Sequence, residues 1–362
     1  MPELPEVETV VKGLRQPVQS KEIVRLVSLR PGTVLDQRAR KPSGTKNCHQ
    51  MQICHSLETC PHESREGNPS ITPLTSWQIS QNANLATSAT DFTNLGTITS
   101  LERRGKYIII QTSQELAIIV HLRMTGKLII QEGLGHSNDD LYHSCDSHGR
   151  SSDGRCHSPD PLCHSHENGN PPCTPATKPN PTFPKHTRAY FEFADNSCLL
   201  FIDIRTFGKI QILSQAQLPE YFQKLGPEPF SSDFNPGYFL GKARTRNMPI
   251  KSLLLDQSFV AGLGNIYVCE ALFRTRINPC LPAKQLTKKQ ITNLINEIRQ
   301  ILTEAIQANG TSISDYRRVD DKTGEFQNFL RVYQKTSCPC GKPVAKIKQA
   351  GRSTYYCPTC QK

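Results

Sequence analysis

The sequence predicts an α+β chain, strand-rich first and helical second, on three observations. An amphipathic helix opens the chain. Runs rich in β-branched and aromatic residues follow, and from about Leu218 the apolar residues recur at helical spacing. A length of 362 residues suits two domains with additional material.

The opening helix is predicted over residues 6–14, where Val7, Val10, Val11 and Leu14 fall on one face and Pro5 suits a first turn. Strands are predicted within 107–111, 116–130 and 188–213, with Asp195-Asn196 as a turn in the last run. Residues 251–256, then a turn-rich stretch, then a helix from Ile266 read as helix, turns, helix. The clearest helix is 288–308: Ile291, Leu294, Ile295, Ile298, Ile301, Leu302 and Ile306 share a face. Thr287 and Gln290 form a capping box there, and Asn309-Gly310 closes the end. A cysteine-paired tail completes the chain.

Segments 37–88 and 133–184 differ from this body. They hold seven of the 14 cysteines and nine of the 11 histidines, and the second has too few large apolar residues to offset ordering entropy. Disorder is the expectation for both. Their Cys-His pairs (Cys48-His49, Cys54-His55, Cys156-His157, Cys163-His164) are the residue types that bind soft metals, but no quartet has ordinary ligand spacing.

The chain carries a net charge of +11, and the two segments together are slightly acidic, so the basic charge belongs to the body. That balance favours nucleic acid or an acidic surface as partner. No 18-residue apolar run is present, so no membrane helix is expected, nor a secretory leader. So many thiols in a chain this long point to metal ligation or free thiols in a reducing compartment.

The opening Met1-Pro2-Glu3-Leu4-Pro5-Glu6 carries chemistry of its own. Removal of Met1 leaves Pro2 as a secondary amine with a pKa of roughly 8, far below that of lysine, so much of it is neutral near pH 7. The adjacent helix start lowers it further. Such an amine attacking a sugar C1′ gives a permanently cationic iminium, an electron sink for elimination. Glu3 and Glu6 lie near enough to move protons. On these residues alone, an ordinary Pro/Glu-rich helix start remains the competing reading.

The opening Met-Pro-Glu-Leu-Pro-Glu-Val-Glu-Thr resembles the start of the bacterial formamidopyrimidine-DNA glycosylases. The resemblance continues through Arg103-Arg104-Gly105-Lys106-Tyr107, His121-Leu122-Arg123-Met124-Thr125-Gly126 and Asp203-Ile204-Arg205-Thr206-Phe207-Gly208. Leu225-Gly226-Pro227-Glu228-Pro229, Gly262-Leu263-Gly264-Asn265-Ile266-Tyr267 and the tail complete it, in the family's order. It implies an N-terminal β-sandwich domain with flanking helices (1–213, interrupted by the two segments). A helix–two-turn–helix DNA-binding domain (214–330) and a zinc-ribbon-like β-hairpin tail (331–362) would follow.

By the same resemblance, Pro2 is the Schiff-base nucleophile, Glu3 the acid, Lys106 the aid to β-elimination and Arg352 the aid to δ-elimination. Met124, Arg205 and Phe207 fill the void left by a flipped nucleotide. His186, Asn247, Lys251 and Asn265 contact DNA, with Gly262 and Gly264 letting the backbone approach phosphates. Residues 310–316 and 321–327 match the loop that caps the lesion. Cys338, Cys340, Cys357 and Cys360 hold one structural zinc ion, although the first pair is Cys-x-Cys where the family has Cys-x-x-Cys. The implied function is excision of oxidised purines (8-oxoguanine, formamidopyrimidines) from damaged duplex DNA, then β,δ-elimination, by a cytoplasmic, nucleoid-associated monomer. Two alternatives stand beside it: an endonuclease VIII-type glycosylase for oxidised pyrimidines, disfavoured by Leu4 and the Arg205/Phe207 loop, and a non-catalytic damaged-DNA binder.

Overall fold

The computed structural model describes residues 2–38, 90–132, 183–312, 317, 319 and 321–362. Most of segments 37–88 and 133–184, with their expected disorder and Cys-His pairs, lies outside the described residues. Their edges do not: Phe183 stacks on Tyr190 with ring centroids 4.5 Å apart, so the body resumes before residue 185.

Helix α1 (Leu4–Val18) extends the predicted helix at both ends. Ten strands follow among the described residues: β1 (Glu22–Ser28), β2 (Val34–Asp36), β3 (Thr90–Phe92), β4 (Gly96–Arg104), β5 (Tyr107–Thr112), β6 (Leu116–His121), β7 (Gly126–Gln131), β8 (Thr187–Phe193), β9 (Cys198–Asp203) and β10 (Lys209–Ser214). They pair in the order β2-β10-β6-β5-β4-β1-β8-β9-β7, with β3 also on β1. All pairs are antiparallel except β10 with β2. The two ends of this path share one core. Ile108, Ile118, Val120 and Ile210 pack with Leu26, Phe191, Leu199 and Phe201, and Val7, Val10, Val11 and Leu14 of α1 close it.

Two of the predicted runs are divided by turns, and only β8 and β9 among their strands pair as a hairpin. Residues 116–130 break at Leu122–Thr125, where Arg123 takes a positive φ of 55° and the Gly126 N–H returns to the Leu122 carbonyl at 2.9 Å. Residues 188–213 break at Asn196, as expected, and again at Thr206 (φ 61°). Strands β1, β2, β3 and β4 escape the sequence reading. In β4 the register shifts between Ile98 and Ser100, which disrupts the apolar alternation.

The helical part comprises α2 (Leu218–Phe222), α3 (Pro236–Arg244), α4 (Ile250–Leu255), α5 (Asn265–Arg274) and α6 (Lys288–Gln307). The predicted capping box is present: Thr287 Oγ1 accepts from the Gln290 N–H at 3.2 Å, and Gln290 Oε1 accepts from the Thr287 N–H at 3.0 Å. Its core includes Leu4 of α1 together with Phe239, Phe259, Tyr267 and the apolar face of α6. One helix therefore serves two cores, with Leu4 in the helical one and Val7 in the sheet one.

The tail forms a hairpin, β11 (Ala345–Gln349) and β12 (Arg352–Tyr356). Its root is tied to α5 by Glu270, whose buried carboxylate accepts from the Arg331, Val332 and Tyr333 N–H groups at 3.0, 2.9 and 2.7 Å. Glu270→Ala leaves three donors without that partner and should lower stability by about 3 kcal/mol. Early proteolytic cleavage near residues 331–337 should accompany it. A variant with unchanged melting temperature and cleavage pattern would refute this anchoring role.

Candidate active site and nucleic-acid interface

The site begins where α1 enters the helical part. Pro2 and Glu3 are buried, and Glu3 caps the N-terminus of α5 by accepting the Ile266 N–H at Oε1 (3.0 Å). Its Oε2 is buried without a protein partner. Burial raises the Glu3 pKa, opposed by the charge of Lys106 and by α5 amides. Glu6 lies one turn on. Its Oε2 accepts the Glu3 N–H at 2.7 Å, and its Oε1 accepts the Tyr267 hydroxyl at 2.5 Å and the Thr311 N–H at 2.7 Å. Burial, then the neighbouring Glu3, push Glu6 up to about 7.

Two glycines predicted to face phosphates do something else. A Cβ on Gly264 would lie 2.2 Å from the Glu3 carboxyl carbon, and one on Gly262 (φ +90°) would lie 2.7 Å from the Leu4 side chain. Here these glycines admit the N-terminal segment, which the Leu4 N–H secures on the Gly262 carbonyl at 3.1 Å.

Lys106 sits in the β4–β5 turn and is only 5% exposed. The turn is clamped from the helical part by Glu228, which accepts from Arg103 (2.8 Å), Arg104 (3.2 Å) and the Gly105 N–H (2.5 Å). Burial lowers Lys106 to about 8, against the attraction of Glu3, and the charge of Arg352 lowers it further. Arg352, exposed at the start of β12, is thus within electrostatic reach of the pocket.

The hairpin that carries Arg352 is gripped at the Ser353 carbonyl, which accepts from Asn265 Nδ2 (2.8 Å) and Lys251 Nζ (3.2 Å). Lys251 Nζ also donates to Thr354 Oγ1 at 2.6 Å, and the residue is fully buried. This corrects the expectation that Lys251 faces phosphate: in the free protein its ammonium supports the hairpin. Asn265 is likewise engaged there, while Asn247 is exposed in the loop before α4.

The four thiols of Cys338, Cys340, Cys357 and Cys360 converge, all within 4.8 Å of one another. Cys338–Cys360 and Cys340–Cys357 are 3.9 and 3.7 Å apart. A tetrahedron with metal–sulfur bonds of about 2.3 Å has edges of roughly 3.8 Å, so the donor set fits a thiophilic ion. The shortened turn still delivers both thiols, closed by the Gly341 N–H on the Cys338 carbonyl (2.8 Å).

Met124 and Phe207 stand 36% and 52% exposed, and the Arg205 guanidinium lies 5.2 Å from the Phe207 ring centre. Their two turns are stapled by the buried Asp203 carboxylate. It accepts from the Thr125 hydroxyl, from the Arg205 N–H (3.2 Å) and from the Gly208 N–H (2.7 Å). His121 supports the Met124 turn by accepting the Arg123 N–H at Nδ1 (3.0 Å), and burial drops its pKa to about 3, which keeps it a neutral acceptor. His186, at φ 71°, lies beside Arg188. Residues 313–316 of the predicted capping loop lie outside the described residues. Its described roots are tied together by Ser312, Gly324 and Gln327.

Sequence reasoning did not assign roles to Glu228, Glu270, Asp203 or His121. Three of them stood inside or beside quoted motifs, but a lone carboxylate or imidazole carries no periodic signal. Gly264→Ala should cost about 2 kcal/mol by overpacking. In a Glu3→Gly background the same change should cost far less, and equal losses in both backgrounds by thermal melting would contradict the contact.

Three family models match: the formamidopyrimidine-DNA glycosylase N-terminal domain over 71–210, its H2TH domain over 225–317, and a zinc finger found in FPG and IleRS over 340–362. A formamidopyrimidine-DNA glycosylase of Phenylobacterium zucineum is 32% identical, with 100% of each chain covered. One from Pelotomaculum thermopropionicum is 37% identical, covering 73% of this chain and 81% of its own. Among solved structures, a Lactococcus lactis FPG mutant with Fapy-dG containing DNA matches at 30% identity and TM-score 0.66, over 100% of both chains. The Lactococcus lactis Fpg with abasic site containing DNA matches at 29% and 0.65, over 99% of both.

Proposed function

We propose how this chain works from one premise: it belongs to the formamidopyrimidine-DNA glycosylase family, and it is a base-excision glycosylase and AP lyase for oxidised purines. Pro2, freed by removal of Met1, is the nucleophile. Its nitrogen bonds to C1′ of the damaged nucleotide as the bond from C1′ to the base breaks, and the base leaves with a proton. Sugar-ring opening gives the iminium. Loss of a C2′ proton then expels the 3′ phosphate, and a second elimination expels the 5′ phosphate.

The observation that carries this reading is the convergence of Pro2, Glu3 and Lys106 in one desolvated pocket. Glu3, whose raised pKa favours the protonated form, is the proton donor. Lys106 near 8 is partly neutral at physiological pH and serves as the elimination base. Arg352 assists the second elimination. Met124, Arg205 and Phe207 enter the duplex where the base leaves, His186 and Asn247 line the DNA-facing surface, and Lys251 and Asn265 support it from behind through the hairpin they hold. The chain divides functionally near 213 and 330.

The four-cysteine cluster holds one zinc ion as a structural clamp on the hairpin. No described helix is long and apolar enough to cross a membrane. The protein works as a monomer in the cytoplasm, on the nucleoid.

Borohydride should trap the protein on an 8-oxoguanine duplex, weakly with Pro2→Gly and not at all with Met1 retained. Full trapping with Met1 in place rules out the amine mechanism. The neutral fraction of Lys106 rises with pH through about 8. Single-turnover β-elimination at a preformed abasic site should therefore climb between pH 7 and 9, and Lys106→Arg should flatten the profile. A rate that falls through pH 8 would mean the ammonium is the active form.

Chelation of the metal should weaken duplex binding about tenfold and suppress the second elimination while Pro2 trapping persists. Cys357→Ser should match it. A metal-free protein with undiminished binding and elimination would end the clamp role.

A further inference from the structure

Outside the catalytic pocket, β7, β9 and β8 share one face of the sheet. A cavity of about 250 Å³ opens there. Its lining is apolar at Ile202 and Ile204, and its rim carries the cations Lys127, Lys185 and Arg317 beside His186. The sheet register places these groups: Lys127 is paired with Ile202, and Ile202 in turn with Thr187, next to His186. The cavity adjoins both exposed turns, since Thr125 in its wall follows Met124, and Ile204 precedes Arg205. Ile204 is 53% exposed.

An anion already sits on this rim. Lys127 Nζ donates to Asp321 Oδ1 at 2.9 Å, with the two side chains 24% and 57% exposed. Asp321 opens the second stretch of the predicted capping loop (321–327), so the pair joins β7 to the root of that loop. A half-exposed pair of this kind is weak, and a more highly charged oxyanion presented to the same ammonium can displace it.

We propose that this cavity is a phosphate site for the DNA strand passing the Met124 and Phe207 turns, and that Asp321 holds its place on Lys127 in the free protein. Lys127 and Lys185 are the phosphate ligands, and Ile202 and Ile204 take the adjoining sugar. On DNA, Lys127 changes partner from Asp321 to phosphate, which releases the loop root from β7 as the duplex arrives. The proposal rests on the reading that the chain acts on duplex DNA, and it adds to that reading a site and a partner exchange.

The test is the salt dependence of binding to a duplex carrying a stable abasic-site analogue, followed by fluorescence anisotropy. Each lost phosphate contact reduces the slope of log K against log salt by about 0.9. Lys127→Gln and Lys185→Gln should each show that loss, whereas Lys289→Gln, exposed at the start of α6, should not. Asp321→Asn should bind about threefold tighter at low salt, and this gain should vanish in the Lys127→Gln background. An unchanged slope in Lys127→Gln, or an Asp321→Asn gain that survives without Lys127, overturns the site.

Wild-type excision and trapping on an 8-oxoguanine duplex are scored separately. Unchanged slopes in a protein that excises overturn the phosphate site alone. Shifted slopes in a protein that does not excise overturn the glycosylase reading alone. A wild-type protein that does not bind duplex overturns both.

Discussion

Glu3 and Glu6 are each about 2% exposed or less, and their carboxylates meet three parts of the chain at once. Glu3 holds the first amide of α5 available for capping, and Glu6 holds Tyr267, Thr311 and the backbone of Glu3 itself. Burying two acids this close is unfavourable unless charge is reduced or matched. The structure does both. Glu6 rises to about 7, and the Glu3 charge is opposed by Lys106, which burial lowers to about 8. The position of α1, the α5 N-terminus and the β4–β5 turn all follow from keeping this arrangement satisfied.

The same logic explains the cross-chain clamps. Arg103 is shared between Glu8 of α1 and Glu228 of the helical part, and both of its bonds are 2.8 Å. Gly226 lies so close to the loop before α5 that a Cβ there would sit 2.6 Å from Phe259 backbone atoms. Lys106 is therefore located by a turn that the opposite part of the molecule holds, and the pocket exists only while both parts are docked.

Much of this was legible in the residues. Val7, Val10, Val11 and Leu14 place α1, and Thr287 with Gln290 marks the start of α6, because helices write their faces at a fixed period. The thiol pairs announce the hairpin. What stayed hidden depends on distant partners. A bulge masks the alternation of β4. Gly262 and Gly264 looked like phosphate-facing residues, yet they make room for Leu4 and Glu3, more than 250 residues away in sequence. Lys251 looked like a phosphate contact because its spacing cannot show that Thr354 and the Ser353 carbonyl occupy its ammonium.

The division of α1 between two cores has a consequence for biosynthesis. Leu4 leaves the ribosome among the first residues, but its partners Phe259, Leu263 and Tyr267 leave about 260 residues later. At translation speeds of roughly 5–20 residues per second, the N-terminal segment waits tens of seconds for the cavity that receives it. Its amino end is thus without its α5 contacts through most of synthesis. It becomes a sheltered group only when α5 emerges, so completion of the chain itself times the assembly of the pocket.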